Sequence, residues 1–292
     1  GSAARLKTLI KKELTAVAEK FGDARRSPLV ERGEAKAFSE LELMSADPIT
    51  VVMSEKGWIR AAKGHDIDAG SLSYKSGDGF KLAVRGRSNQ PAIILDSTGR
   101  AYSVASHNLP SARGQGEPVT GRINPPSGAS FEGLMMGDEE QLYLVSSDAG
   151  YGFVARLGDL QSKNRSGKAV LTLPKGSQVL QPARISQRED AWVVAVSSEG
   201  RMLVFPLADL PQLSRGKGNK IIGIPTARVQ AREEFVVGVQ VLVPGDTLVV
   251  HAGKRHLNLK FAELEHYQGE RGRRGNKLPR GFQKVDSLAI AE

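Results

Sequence analysis

Three stretches of this sequence could hold phosphate: Ser162–Lys168 (SKNRSGK), Leu213–Lys220 (LSRGKGNK) and Glu270–Lys277 (ERGRRGNK). Lys163, Arg165 and Lys168 charge the first and Arg215, Lys217 and Lys220 the second. The third carries Arg271, Arg273, Arg274 and Lys277 less Glu270. Each loop has a net charge of three, and together they equal the formal net charge of +9 of the 292-residue chain. The remainder is therefore balanced. Glycine lets the backbone approach an anion and leaves its amides free to donate, while Arg and Lys supply charge. A solvated surface mixes both signs, so an excess gathered into loops points to a polyanion such as a phosphate backbone. Two weaker relatives precede them. Ser111–Val119 offers Arg113 against Glu117, and Ser73–Lys81 offers Lys75 and Lys81 against Asp78. The first two loops are expected to contribute less than the last three, and exposed loop charges in general to contribute little to stability.

The elements that position these loops are repeated. Five segments share an apolar strand, a polar turn ending in Gly, a second strand and an apolar residue about ten positions on. They are Thr50–Ile67, Ala92–Leu109, Leu142–Leu160, Trp192–Leu210 and Thr247–Leu264. Their anchor glycines are Gly57, Gly99, Gly150, Gly200 and Gly253, with periods of 42, 51, 50 and 53 residues. Ser or Asp opens each hairpin and Gly closes it at positive φ. Two further strands fit each full period, Lys220–Ile224 and Glu233–Leu242 in the fourth copy. Four strands per ~50 residues is the arithmetic of a propeller blade. The first period is shorter; only Gly79–Arg85 fits there, and its blade is expected to borrow a strand from Ala37–Met44. Each basic loop follows the second strand of its repeat, so equivalent loops should recur around a rim as a discontinuous positive track. The fold class is therefore all-β, a propeller-like array over residues 35–292.

Residues 1–34 differ. Leu6, Leu9, Ile10, Leu14, Val17 and Phe21 recur at helical spacing over Ala3–Phe21, with Gly22 placed as a C-cap, and the stripe is expected to pack on a neighbour. Asp23–Gly33 reads as a connector. Gly1-Ser2 reads as a cloning scar, which makes the sequence a piece of a longer chain. The longest apolar stretch, Phe235–Val243, is far below the ~20 residues a membrane helix needs. No cysteine is present, which excludes disulfides and Cys-based zinc sites.

Other chemistries fail on spacing. The Gly-Lys pairs at Gly167, Gly216 and Gly253 lack the glycine five residues earlier that a P-loop requires. Gly150–Ala155 matches a dinucleotide pattern but lies in a hairpin. The five histidines, His65, His107, His251, His256 and His266, have no HExxH spacing, and Asp138-Glu139-Glu140 falls at a turn. No catalytic or metal site is expected. None of the three strong loops contains Phe, Tyr or Trp, which favours duplex over single-stranded partners. Trp58 and Trp192 read as blade packing. No recognition helix is present, so base specificity should be weak.

Five repeats with Arg/Gly/Lys loops after the second strand, preceded by IKKELTAVAEKFGDARRSPL (Ile10–Leu29), resemble the C-terminal region of bacterial type IIA topoisomerase A subunits. The resemblance is nearer the topoisomerase IV (ParC) branch than gyrase. Gyrase carries an intact Q-R-R-G-G-K-G box in its first blade, where this sequence has SYKSGDG. The resemblance implies a β-pinwheel of about five four-stranded blades whose neighbours exchange strands. It also implies a non-catalytic role in binding and bending duplex DNA for decatenation and relaxation. The cleaving tyrosine would lie in the ParC N-terminal region and the ATPase in ParE, with ATP and Mg used only by the holoenzyme. The implied partners are duplex DNA, those two regions and a MukB-type condensin, in the bacterial cytoplasm at the nucleoid. The rival reading is a propeller whose basic loops recognise an acidic protein.

Overall fold

A computed structural model describes residues 2–23 and 45–291. They fall in two units, one helical and one of strands. The expected strand over Ala37–Met44, the division at residue 34 and the connector beyond Asp23 lie outside the described residues. The helix α1 spans Ala3–Phe21 as the periodicity predicts, and its six apolar residues are exposed. Gly22 closes it through an amide bond to the Ala18 carbonyl, but with φ −70°, extended rather than left-handed.

The second unit follows the repeats. The first contributes β1 (Pro48–Ser54), β2 (Trp58–Lys63) and β3 (Phe80–Arg87). The second contributes β4 (Pro91–Asp96), β5 (Arg100–Ala105), β6 (Glu117–Pro118) and β7 (Phe131–Met135). The third contributes β8 (Leu142–Ser147), β9 (Tyr151–Arg156), the short helix α2 (Leu157–Leu160), β10 (Lys168–Ala169) and β11 (Ala183–Ile185). The fourth contributes β12 (Trp192–Ser197), β13 (Arg201–Pro206), β14 (Asn219–Lys220), α3 (Thr226–Gln230) and β15 (Val236–Leu242). The fifth contributes β16 (Thr247–Ala252), β17 (Arg255–Lys260), β18 (Asn276–Lys277) and β19 (Ser287–Ile290).

Five antiparallel sheets result, in the orders β3-β1-β2-β6, β7-β4-β5-β10, β11-β8-β9-β14, β15-β12-β13-β18 and β19-β16-β17. Each of the first four blades thus takes its fourth strand from the next repeat. The fifth blade has three strands, one fewer than the repeat arithmetic gave. The short strand expected over Lys220–Ile224 forms only at Asn219–Lys220, opposite Gly152 and Tyr151.

Alternation explains the stacking, because successive strand residues face opposite sides. Val193 and Ala195 pack toward the third blade with Leu144 and Val154, whereas Val194 and Val196 pack toward the fifth with Leu248 and Val250. Ala92 and Ile94 face the first blade; Ile93 and Leu95 face the third. Each such fully buried Val, Leu or Ile contributes about 1.5–3 kcal/mol. Among the described residues four cores join the five blades in series, and none joins the fifth to the first. At the hairpins, the Gly99 amide bonds the Asp96 carbonyl at 3.0 Å with φ +82°. A Cβ there would lie 2.0 Å from the Leu171 carbonyl oxygen, so only glycine fits beneath the exchanged segment.

Candidate nucleic-acid interface

The strand exchange decides where the basic loops sit. Each loop of repeats two to five ends in the two-residue strand that crosses to the preceding blade: β6, β10, β14 and β18. The loops therefore lie beyond β2, β5, β9 and β13, whose free sides the short strands cover.

They are also stapled to one another. Arg165 donates from Nε to the Arg122 carbonyl at 2.9 Å and from Nη2 to the Gly121 carbonyl at 2.6 Å, tying the third loop to the exit of the second. The Gly216 amide bonds the Val170 carbonyl and the Thr172 amide bonds the Gly216 carbonyl, tying the fourth to the third. The Gly272 amide reaches the Ile221 carbonyl and the Gly223 amide the Arg273 carbonyl. Arg271 adds a 2.8 Å bond to the Lys220 carbonyl and Arg274 a 3.0 Å bond to the Gly223 carbonyl. Tight backbone approach makes this stapling possible; a Cβ on Gly223 would meet the Gly272 carbonyl oxygen at 2.8 Å.

The residue after each of the first four anchor glycines receives a basic loop. Arg100 donates to the Ser166 carbonyl at 3.0 Å and 2.8 Å and to the Gly167 carbonyl at 2.9 Å. Arg201 reaches the Gly275 carbonyl at 3.2 Å. Tyr151 lies beneath Lys217 and Lys220, whose ammonium groups stand 4.4 Å and 5.9 Å from its ring centroid. Trp58 carries Lys75 of its own repeat at 3.3 Å. Its place in a strand agrees with the sequence, but its face also seats a lysine by cation–π attraction. Arg100, Arg201 and Tyr151 were not singled out by the sequence, although aligning the repeats on their glycines would have brought them into one column.

The cations differ in freedom. Lys163, Arg215, Arg113 and Lys277 are exposed, and their charged groups make no hydrogen bond or ion pair among the described residues. Lys168 is half-buried in β10 and adds to the field that holds the Asp159 carboxyl below its ordinary range, an effect led by the hydrogen bond from Arg156. Arg273 pairs with Glu270 at 2.8 Å on the surface. Lys81 pairs with Glu132 at 3.0 Å rather than with Asp78, which instead accepts the Lys56 and Gly79 amides. Glu117 is taken by Arg122, so Arg113 is left uncompensated.

Arg274 departs most from the expectation for loop charges. Its Nη2 bonds the Oε2 of Glu234, a carboxylate with no exposure, to which Arg228 of α3 adds Nη1 at 3.0 Å. Glu234 would keep Arg228 if Arg274 were lost, so that loss costs less than the about 3–5 kcal/mol of orphaning a buried charge, yet Arg274 still supports the fold. At the first blade Arg60 is 2% exposed and bonds the Gly114 carbonyl at 2.6 Å with its guanidinium 4.6 Å from the Tyr74 ring centroid. It links the first loop to the second.

The family described as DNA gyrase C-terminal domain, beta-propeller, matches residues 141–186 and 191–242. The A subunit of DNA topoisomerase 4 from Pseudomonas aeruginosa is 61% identical over 99% of this chain, and that from Escherichia coli K12 is 51% identical over 99%. The chain spans 38% of the length of each of these relatives. The solved structure of the E. coli ParC C-terminal domain aligns with a TM-score of 0.74 at 49% identity, covering 84% of this chain and 99% of that one. The matched portion is the C-terminal domain, separate from the catalytic part of those proteins. With five strand-exchanging blades and this full-length likeness, the chain belongs to the family of C-terminal domains of the topoisomerase IV A subunit.

Proposed function

We propose that this chain binds and bends duplex DNA along its stapled basic loops and so positions crossings for decatenation and supercoil relaxation. The observation that carries the reading is the continuous hydrogen-bonded succession of loops across the outer strands of four blades, with free cations at Lys163, Arg215 and Lys277. Contacts made through charge and backbone amides fix position on a duplex without reading its sequence. The working assembly adds the ParC N-terminal region and ParE, which supply cleavage and an ATPase using ATP and Mg. A MukB-type condensin is a further partner, and the bacterial nucleoid is the place of action.

The experiment is a titration of fluorescent duplex across salt concentrations. The log–log slope should be about −0.9 per neutralised phosphate, with little change between unrelated sequences. A slope near zero overturns the reading. Within the intact enzyme, deleting this domain should alter the relative rates on catenated, positively supercoiled and negatively supercoiled circles. Equal rates on all three before and after deletion would remove the positioning role.

A further inference from the structure

The hairpin turn of the fourth blade, α3 and the last basic loop enclose a recess of about 400 Å³ lined by Glu199, Arg201, Arg228, Arg274, Lys277 and Gln283. Four cations from three separate stretches of chain line it together with a single carboxylate, Glu199, which stands 3.9 Å from Arg228. Each arginine has its own anchor. Arg201 is held by the Gly275 carbonyl, Arg274 by the Gly223 carbonyl and Glu234, and Arg228 by Glu234 with longer ion pairs to Glu233 at 3.5 Å and Glu199 at 3.9 Å. A guanidinium has five N–H donors, so these anchors leave others to serve the recess, and Lys277 brings an unpartnered ammonium. Glu234 lies fully buried, and one oxygen fastens arginines from opposite walls. It offsets the repulsion that would part them and presents two planar forks side by side, the arrangement that suits a tetrahedral oxyanion.

The comparable cations of two other blades are held differently. In the third, Arg232 is held by Asp148 at 2.6 Å and the Gly176 carbonyl, and in the first, Arg60 is enclosed. We propose that the recess is a discrete phosphate-binding pocket with Arg201, Arg228, Arg274 and Lys277 as donors. The phosphate is either a phosphodiester of bound duplex or a free oxyanion; only the first source rests on the DNA-binding reading above.

The test labels arginine side chains with ¹⁵N and follows their Nε–H resonances in the whole chain during titration with inorganic pyrophosphate, alongside duplex binding across salt. Pyrophosphate should shift Arg201, Arg228 and Arg274 selectively. The double variant R201A/K277A should weaken this binding at least tenfold, and R201K/K277Q less, while K163A leaves it unchanged. In the duplex arm R201A/K277A should lower the salt slope by about 0.9, one phosphate. A pyrophosphate response with an unchanged duplex slope assigns the pocket to free oxyanions. A reduced slope without a pyrophosphate response assigns it to the DNA backbone. If wild-type protein binds no duplex, the DNA reading fails and the pyrophosphate arm alone decides the pocket. No selective shift together with an unchanged slope overturns it, and a folded spectrum of R201K/K277Q guards against loss of structure.

Discussion

In the last basic loop Arg274 reaches a fully buried carboxylate, whereas the buried cation of the first blade, Arg60, has only a carbonyl and a tyrosine ring. Both arginines fasten a basic loop to a blade. Each leaves one buried polar atom unpartnered, Glu234 Oε1 in the first and Arg60 Nη2 in the second, but the first neutralises its charge and holds two arginines beside an open recess, whereas the second leaves a charge enclosed. The last loop combines an exposed Lys277 with a neutralised footing, while the first two loops have fewer cations and share an unneutralised one.

Breaking the Glu234 contact should have the largest effect. R274E would set a second carboxylate against a buried one, and we expect a loss of about 3–5 kcal/mol in chemical denaturation. K163E and R215E, in loops of the same composition, should stay within about 0.5 kcal/mol of wild type. Equal melts for all three variants would show that the footing is unimportant.

The opposite sign is expected at Arg60. R60M removes an enclosed charge, and the exposed Gly114 can turn its carbonyl to water, so stability should be unchanged or rise by about 1 kcal/mol. A fall as large as that of R274E would equate the two sites and undo the comparison. A smaller effect concerns the lysines seated on aromatic faces. Cation–π pairs contribute about 0.5–1 kcal/mol at exposed sites, so Y151A should weaken duplex affinity a few-fold by releasing Lys217 and Lys220. Y151F, which keeps the ring face, should restore it and Y151L, which keeps only apolar bulk, should not; recovery in Y151L would assign the loss to packing.

The smallest effect is acidic. The Arg156 hydrogen bond, with burial opposing it, holds the Asp159 carboxyl below its ordinary 3.8. A carboxyl lowered in the folded state stabilises above the unfolded value and loses that contribution as pH falls through the folded one. Unfolding below about pH 4 should therefore be less pH-dependent in D159N, by under about 1 kcal/mol because both side chains are partly exposed. An unchanged acid limb would discount the pair.

Much of the fold was legible because it is periodic and local. Helix α1 and the five hairpins follow from spacing and from glycines at positive φ, since side-chain period and turn geometry act within a few residues. The shortness of β14 was not legible: beyond Lys220 the chain turns Ile221 and Ile222 into the core between the third and fourth blades, where they pack on Leu144 and Val154 instead of extending the ladder. Nor was α3, whose five residues are too few to show a helical period. The position of the basic loops in each repeat was readable, but their crossing to the preceding blade was anticipated only through family resemblance.

Composition and repeat spacing by themselves determined a chain of similar blades with an excess of positive charge in recurring loops. They could not tell Arg273 from its neighbour Arg274. One pairs with Glu270 three residues away at the surface, the other with Glu234 forty residues away in the interior. Only the tertiary structure decided which charges face solvent and which support the fold, because burial and charge pairing depend on segments that folding brings together from far apart in sequence.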